Sequence, residues 1–317
     1  MTRVVYKPFS AGLHAAAQSA AQPGSPSAVQ ARVGDQADRL GDWRLGARIC
    51  EHAGVEVLEA RPWRSNESKF RYVVKRWTSA FISTEQRAAL AREAAAGTAV
   101  NHPHVIPILS AHVYEPPYYY VMPRLEGATL DAILAHRGRL PVATALWYAR
   151  QAAEGLAALH SAEWLHADVK PSNIFVGRDG HVTLIDLGYA RPRDDEASAE
   201  TQCVLGTVDY LAPEAVCSRL RVDERSDLYS LGIVLFQMLS GRLPFTGETP
   251  AEIVAAHVSA EPPALRSLVS SLPNAVCDVV KKLLFKQPLR RFTSARELVG
   301  DLGRLEIELL DERFVGP

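Results

Sequence analysis

The sequence predicts an α+β protein of two unequal lobes, a small strand-rich N-terminal lobe and a larger, mainly helical C-terminal one. Three observations carry this. Between Trp43 and Met122, apolar and aromatic residues recur at strand-like intervals around a single helical stretch. Beyond Gly127 the periodicity becomes helical and stays so almost to the end of the chain. Gly127 itself marks the change, which makes a cleft between the two parts the natural place for a functional site.

The elements follow in order. Residues 11–40 are rich in Ala, Gln, Ser and Pro, a composition that buries little, so residues 1–42 are expected to form a flexible segment. Strands are expected within 43–60 and 68–77, with Pro62, Ser65 and Asn66 turning the chain between them. The stretch 84–100 reads as a helix with Thr84 as its cap and Gly97 near its end. Two more strands are expected near 105–114 and 117–122. In the second lobe, residues 141–162 read as a long apolar-periodic helix opened by Pro141. Asp179-Gly180 is a hairpin signal between the strand-like runs SNIFV and HVTLID. Residues 224–240 form a strongly apolar helix stopped by Gly241. Helical patterns continue at 250–258, 274–285 and 294–310, and residues 303–317 read as a C-terminal helical extension.

Composition excludes several classes. With 317 residues, 47% hydrophobic and 22% charged, wholesale disorder is ruled out and one large or two small domains are expected. The 35 Lys+Arg against 36 Asp+Glu leave a net charge of −1, so no nucleic acid and no membrane surface is expected as a partner. Cys50, Cys203, Cys217 and Cys277 lie far apart, without metal-ligand spacing, and point to a reducing, cytoplasmic compartment. No apolar run is long enough to span a membrane. The opening MTRVVYKPFS lacks the apolar core of a signal peptide.

Chemistry concentrates in His166-Ala167-Asp168-Val169-Lys170-Pro171-Ser172-Asn173, just before the hairpin. Asp186-Leu187-Gly188 follows at the hairpin's exit, 18 residues after Asp168. Upstream, Tyr72-Val73-Val74-Lys75 ends a strand and Glu93 lies on the helix. This set suits phosphoryl transfer. A nucleotide triphosphate comes with a hard divalent metal, which prefers oxygen ligands such as Asp186 and Asn173 supply. Lys75, fixed by Glu93, can hold phosphates, Asp168 can accept a hydroxyl proton, and Lys170 can neutralise charge on the moving phosphoryl group.

These motifs resemble those of eukaryotic-like (Hanks-type) serine/threonine protein kinases of the bacterial type, over about residues 43–302. The resemblance implies a bilobal protein-kinase fold with the N-lobe at about 43–122, the hinge at 123–127 and the C-lobe at 128–302. It also implies ATP with Mg²⁺ or Mn²⁺ as cofactors. HADVKPSN resembles the catalytic loop, with Asp168 as base and Asn173 as metal ligand, and DLG resembles the DFG signature, with Asp186 on metal and nucleotide. YVVK and LAREA resemble the strand lysine and its helix partner, Lys75 and Glu93. GTVDYLAPE resembles the end of the activation segment, where Thr207 would support Asp168 and Lys170. Asp227 would brace the catalytic loop, and Arg291 sits where the family places the partner of Glu214. Met122 falls at the gatekeeper position, Pro123 and Leu125 would meet adenine through backbone groups, and Cys50, Val57, Val73 and Phe175 would surround the nucleotide.

Three departures stand out. The glycine positions of the phosphate loop fall on Cys50, His52 and Val55, none of them glycine, and the nearby Gly54 is out of register by one. Either side chains hinder the approach of backbone N–H groups to phosphate, or the loop is shifted by one residue onto Gly54. Ala167 stands where most of the family has an Arg that pairs with a phosphate, so activity is expected not to depend on phosphorylation at Ser198 or Thr201. Gly97 stands where the family has a bulky apolar residue, which predicts a loosely held helix and Lys75–Glu93 pair. His166 reads as a structural histidine, Cys203 as inert, and Asp194-Asp195-Glu196 as a solvated acidic run with no Arg to meet.

The expected function is transfer of the ATP γ-phosphoryl group to Ser or Thr hydroxyls of a protein substrate. The alternative is a pseudokinase or scaffold, to which the glycine-poor loop and Gly97 point. A small-molecule kinase of related fold, such as an aminoglycoside phosphotransferase, is disfavoured by Lys170 and Ala212-Pro213-Glu214. A regulatory partner acting through the N-lobe helix or the N-terminal tail is a further expectation.

Overall fold

The computed structural model describes residues 38–52, 54–194, 208–216 and 221–314. The expectations for the N-terminal segment up to residue 37, and for Asp195, Glu196, Ser198, Thr201, Cys203, Thr207 and Cys217, lie outside them.

Alternation of buried and exposed residues in the first lobe produces a six-stranded sheet. Its strands are β1 (Arg39–Leu40), β2 (Trp43–His52), β3 (Val55–Pro62), β4 (Tyr72–Trp77), β5 (Ser110–His112) and β6 (Tyr119–Pro123). They lie in the order β1-β2-β3-β4-β6-β5, with every neighbouring pair antiparallel. The expected strand 43–60 is thus a hairpin, not one strand. Its ladder runs down to His52↔Val55, and Gly54 takes the left-handed conformation (φ +77°) that so tight a turn demands. β2 is bulged, with register shifts between Leu45 and Arg48 and between Arg48 and Cys50.

Helix α1 (Thr84–Ala99) lies against this sheet, where Leu90 and Ala94 join Val57, Val73, Tyr120 and Met122 in one apolar cluster. Its cap is Ser83 rather than Thr84. The Ser83 hydroxyl accepts from the Gln86 amide while the Gln86 side chain accepts from the Ser83 amide, a reciprocal capping box. Gly97 does not leave a gap. A Cβ there would stand 2.7 Å from Ile108 Cγ1, and the Ile108 amide donates to the Gly97 carbonyl at 3.0 Å. The bulky residue comes from the neighbouring chain segment, not from the helix, so the expected loss of packing does not arise. The expected strand 105–114 shortens to β5, because Val105 bridges instead to Leu184 of the other lobe.

The second lobe begins with β7 (Gly127–Thr129) and α2 (Leu130–Arg137). Neither was read from the sequence, and α2 buries only Leu130 and Leu134, too few for a period to show. Then come α3 (Val142–Ser161), β8 (Trp164–Leu165), β9 (Ile174–Gly177), β10 (Val182–Leu184) and β11 (Arg191–Pro192). After these follow α4 (Glu224–Ser240), α5 (Pro250–Ser259), α6 (Leu265–Leu268), α7 (Asn274–Leu283) and α8 (Ala295–Phe314). β9 and β10 form the hairpin around Asp179-Gly180, in register Val176↔Val182. α4 is apolar on all sides and is buried accordingly, from Leu228 to Leu239 with one partial exception at Gln237 and one at Ser230. Gly241 ends it in the left-handed conformation. Packing of α3, α7 and α8 around α4 makes the lobe's core. Among the described residues, no helix is long and apolar enough to cross a membrane.

Candidate active site

A cleft opens where the two lobes meet. Ile49, Val57 and Val73 of the sheet form one wall, Met122, Pro123 and Leu125 the connecting segment, and Phe175 of β9 the opposite wall. Val57, Val73, Met122, Pro123, Leu125 and Phe175 thus come together as the sequence predicts. Cys50 does not line the cleft. It pairs with Val57 across the hairpin and packs beside the same apolar cluster, but the bulge in β2 presents its neighbour Ile49 to the opening. Burial pushes the Cys50 thiol up. Arg124 and Gly127, within the expected hinge, also line the cleft, as do Ile106, Ala128 and Thr129, which no motif in the sequence marked.

A first cluster of charges stands where β4, α1 and the segment leaving β10 meet. The Lys75 ammonium lies 3.2 Å from each Glu93 carboxylate oxygen and 3.4 Å from Asp186 Oδ1. β4 brings Lys75, α1 brings Glu93, and the segment leaving β10 brings Asp186. Burial opposes the Lys75 ammonium, but the Asp186 and Glu93 carboxylates outweigh it and hold the amine well above its ordinary range. Burial likewise raises Glu93, with Lys75 partly offsetting it. At Asp186 burial is outweighed by Lys75 and then Lys170, which hold the carboxyl below its ordinary value. The sequence reading missed the fourth member, Tyr120, whose hydroxyl donates to Glu93 Oε1 at 2.6 Å.

The second cluster is the loop between β8 and β9. Lys170 Nζ lies 2.9 Å from Asp168 Oδ2, and the Asn173 amide donates to the same oxygen at 2.7 Å and to the Asp168 carbonyl at 2.9 Å. Burial pushes the Asp168 carboxyl up to about 6, against the pull of Lys170. Burial lowers Lys170, which Asp168 counters. The Ile185 amide donates to the Asn173 carbonyl at 2.9 Å and so ties this loop to the segment that carries Asp186 out of β10.

Asp227 of α4 holds the loop from below. Its carboxylate accepts the His166 amide at 2.9 Å, the Ala167 amide at 2.8 Å and His160 Nε2 at 2.8 Å. Burial works against this carboxylate, but the bond from His160 outweighs it and keeps the group ionised below its ordinary pKa. The bonds also hold Ala167 at φ +59°, a conformation a residue with a Cβ adopts only under constraint. His166 is fully buried and its Nδ1 accepts from the Asp168 amide at 3.3 Å, so its role here is structural. Further down, Arg291 grips Glu214 through two bonds of 2.6 and 2.8 Å, both side chains at 0% exposure. Asp194 is not simply solvated: Arg221 reaches its carboxylate at 2.5 Å. The sequence reading looked only to position 167 for a partner and missed an arginine supplied from beyond the activation segment.

The chemistry available is plain from the donor set. Two oxygen-bearing side chains face the half-buried Lys75, and a raised carboxyl stands beside the buried Lys170. Asn173 turns its amide nitrogen to Asp168, which leaves its side-chain carbonyl to offer an oxygen, as the Asp186 carboxylate does. That pair suits a hard divalent cation.

Comparison with known proteins adds to this geometry. The family profile described as "Protein kinase domain" matches residues 58–301. The chain is similar to the "Probable serine/threonine-protein kinase CPE1738" of Clostridium perfringens, 34% identical over 215 residues, which are 68% of this chain and 31% of that one. It is 34% identical to the "Serine/threonine-protein kinase PrkC" of Bacillus subtilis over 67% of this chain and 32% of the relative. It is 35% identical to the "Serine/threonine-protein kinase PknB" of Mycobacterium tuberculosis over 68% of this chain and 35% of the relative. The chain spans about a third of the length of these relatives.

Proposed function

We propose, for a chain that belongs to the protein kinase family in its bacterial Hanks-type serine/threonine branch, that it transfers the γ-phosphoryl group of ATP to Ser or Thr hydroxyls of a protein substrate. The observation that carries the proposal is the meeting of two charge clusters, Lys75–Glu93–Asp186 and Asp168–Lys170–Asn173, where the Asp186 carboxylate feels both Lys75 and Lys170.

In this reading the purine enters between Val57 and Phe175, against Met122, with backbone groups of Pro123 and Leu125 toward its edge. Lys75 anchors the α- and β-phosphates, and Glu93 holds the ammonium on line. Asp186 and Asn173 would hold Mg²⁺ or Mn²⁺, which supplies neutralisation of phosphate charge when bound. Asp168 orients the acceptor hydroxyl and takes its proton, which then passes to solvent. A carboxyl raised to about 6 is ionised at neutral pH yet more basic than an ordinary one, which suits that task. As the hydroxyl oxygen bonds to the γ-phosphorus, the bond to the β–γ bridging oxygen breaks, and Lys170 stands beside the transferring charge. Thr207 is assigned the support of Asp168 and Lys170 by family resemblance.

Independence from activation-segment phosphorylation belongs to the same reading. Ala167 offers no cation, while Arg193 reaches Glu224 at 2.9 Å and Arg221 reaches Asp194, bracing the segment's entry without phosphate. The scaffold alternative drew on Gly97 and the glycine-poor hairpin. Ile108 fills the space beside Gly97, so only the hairpin still speaks for it.

The test is incubation of the purified chain with γ-labelled ATP at millimolar concentration, Mg²⁺ or Mn²⁺, and a generic acceptor protein, beside Asp186→Ala. Label on Ser or Thr with the wild type and none with the variant is the expected result. Equal label with both would overturn the assignment of the site.

A further inference from the structure

β4 and β6 run antiparallel with Lys75 directly opposite Tyr120, so both side chains leave the sheet on the same face. That face looks onto α1. Tyr120 is 1% exposed, and its hydroxyl donates to Glu93 Oε1 at 2.6 Å, the same oxygen that lies 3.2 Å from Lys75 Nζ. The ammonium sits 5.4 Å from the Tyr120 ring centroid and 5.8 Å from that of Trp77, so the ring closes one side of the lysine's cage as well.

Glu93 therefore has two donors of different kinds. Lys75 is a flexible stem that also reaches Asp186 and, on the kinase reading, must turn toward phosphate. Tyr120 is a rigid side chain on a strand paired on both sides, and Glu93 is the partner of its hydroxyl. Were α1 to swing away, that hydroxyl would be left buried without an acceptor. A hydrogen bond to a charged group changes such an equilibrium by about ten- to hundredfold. The helix has need of such a bolt. It buries a narrow strip, Leu90, Glu93, Ala94, Ala96 and Gly97, and carries a glycine in its last turn.

We propose that Tyr120 is a positioning residue for phosphoryl transfer, which holds Glu93, and through it α1, in the assembled position independently of Lys75. The proposal rests on the kinase reading for its catalytic consequence and on geometry alone for its effect on α1. Burial, and then the Glu93 carboxylate, hold the Tyr120 phenol well above its ordinary range, so it stays a proton donor through the working pH range.

The experiment uses the full chain with Tyr120→Phe, which keeps the ring and removes only the hydroxyl. In nucleotide-free protein, hydrogen exchange of amides 84–99 should accelerate about tenfold or more, while amides of α4 stay protected and report an intact fold. kcat/KM for ATP should fall by a similar factor. In a Glu93→Leu background, Tyr120→Phe should add less than about twofold to either quantity, because its acceptor is gone. Unchanged α1 exchange in Tyr120→Phe would overturn the proposal. So would an equal effect in the Glu93→Leu background, which would make Tyr120 a packing residue. If the wild type transfers no phosphoryl group, the kinase reading fails, and the exchange experiment still decides the role of Tyr120.

Discussion

The two lobes hold their charges in different ways. Around Asp227, Glu214 and Arg291 the charged groups are almost wholly buried, and each makes several bonds. On the β2–β3 hairpin the cations lie nearer to solvent, although the Glu56 carboxylate they share is buried. Arg48 pairs with Glu51 and Glu56 while remaining 54% exposed, and Arg76 meets Glu56 at 2.8 Å. A buried, multiply bonded group cannot move without leaving a partner unsatisfied, whereas an exposed pair exchanges for water at little cost. The C-terminal lobe thus holds these charged groups in fixed positions. The N-terminal lobe is adjustable except where Tyr120, Lys75 and Glu93 meet.

The sharpest way to break this comparison is to unpair the buried ion pair. Glu214→Ala leaves the Arg291 guanidinium uncompensated at 0% exposure, and chemical denaturation should show a loss of about 3–5 kcal/mol. A loss below about 1 kcal/mol would erase the distinction between the lobes.

Next comes the titration of Asp168, whose carboxyl burial raises from 3.8 to about 6. In metal-free protein labelled at aspartate, carbon NMR should show one carboxyl protonating near pH 6 and ionised above it, a signal missing from Asp168→Asn. A carboxyl titrating near its ordinary value would mean the loop is wetter than the geometry implies.

A smaller effect tests the adjustable lobe. Gly97→Leu drives a side chain into Ile108, where even a Cβ stands 2.7 Å from Cγ1, and should cost about 1–3 kcal/mol in thermal unfolding. Adding Ile108→Ala should recover most of that. If Gly97→Leu alone stabilises the protein, the contact is not shared in the way described. The smallest effect belongs to the surface. Arg221→Ala removes a pair whose side chains are 64% and 82% exposed, and stability should change by roughly 0.2–1 kcal/mol or less. Phosphatase treatment should likewise leave activity unchanged, as Ala167 implies.

What could be read from the sequence was whatever repeats or sits close together along the chain. The apolar period of α3 and α4, the Asp179-Gly180 turn and the polar run from His166 to Asn173 all announce themselves within a few residues. Short elements did not: β7 and α2 are too brief to show a period, and the division of 43–60 into two strands depended on a turn of two residues.

By itself, then, the amino-acid sequence determined the class of fold and the order of the long elements, and it singled out Lys75, Glu93, Asp168, Lys170, Asn173 and Asp186 as residues expected to act together. Only the tertiary structure decided which neighbours those residues keep. Tyr120 and Glu93 are 27 positions apart, as are Arg221 and Asp194, and Gly97 meets Ile108 across a turn. Whether Ile49 or Cys50 faces the cleft turned on one bulge. Such pairings follow from where two backbones cross and which face each presents, and no local period or spacing encodes that crossing.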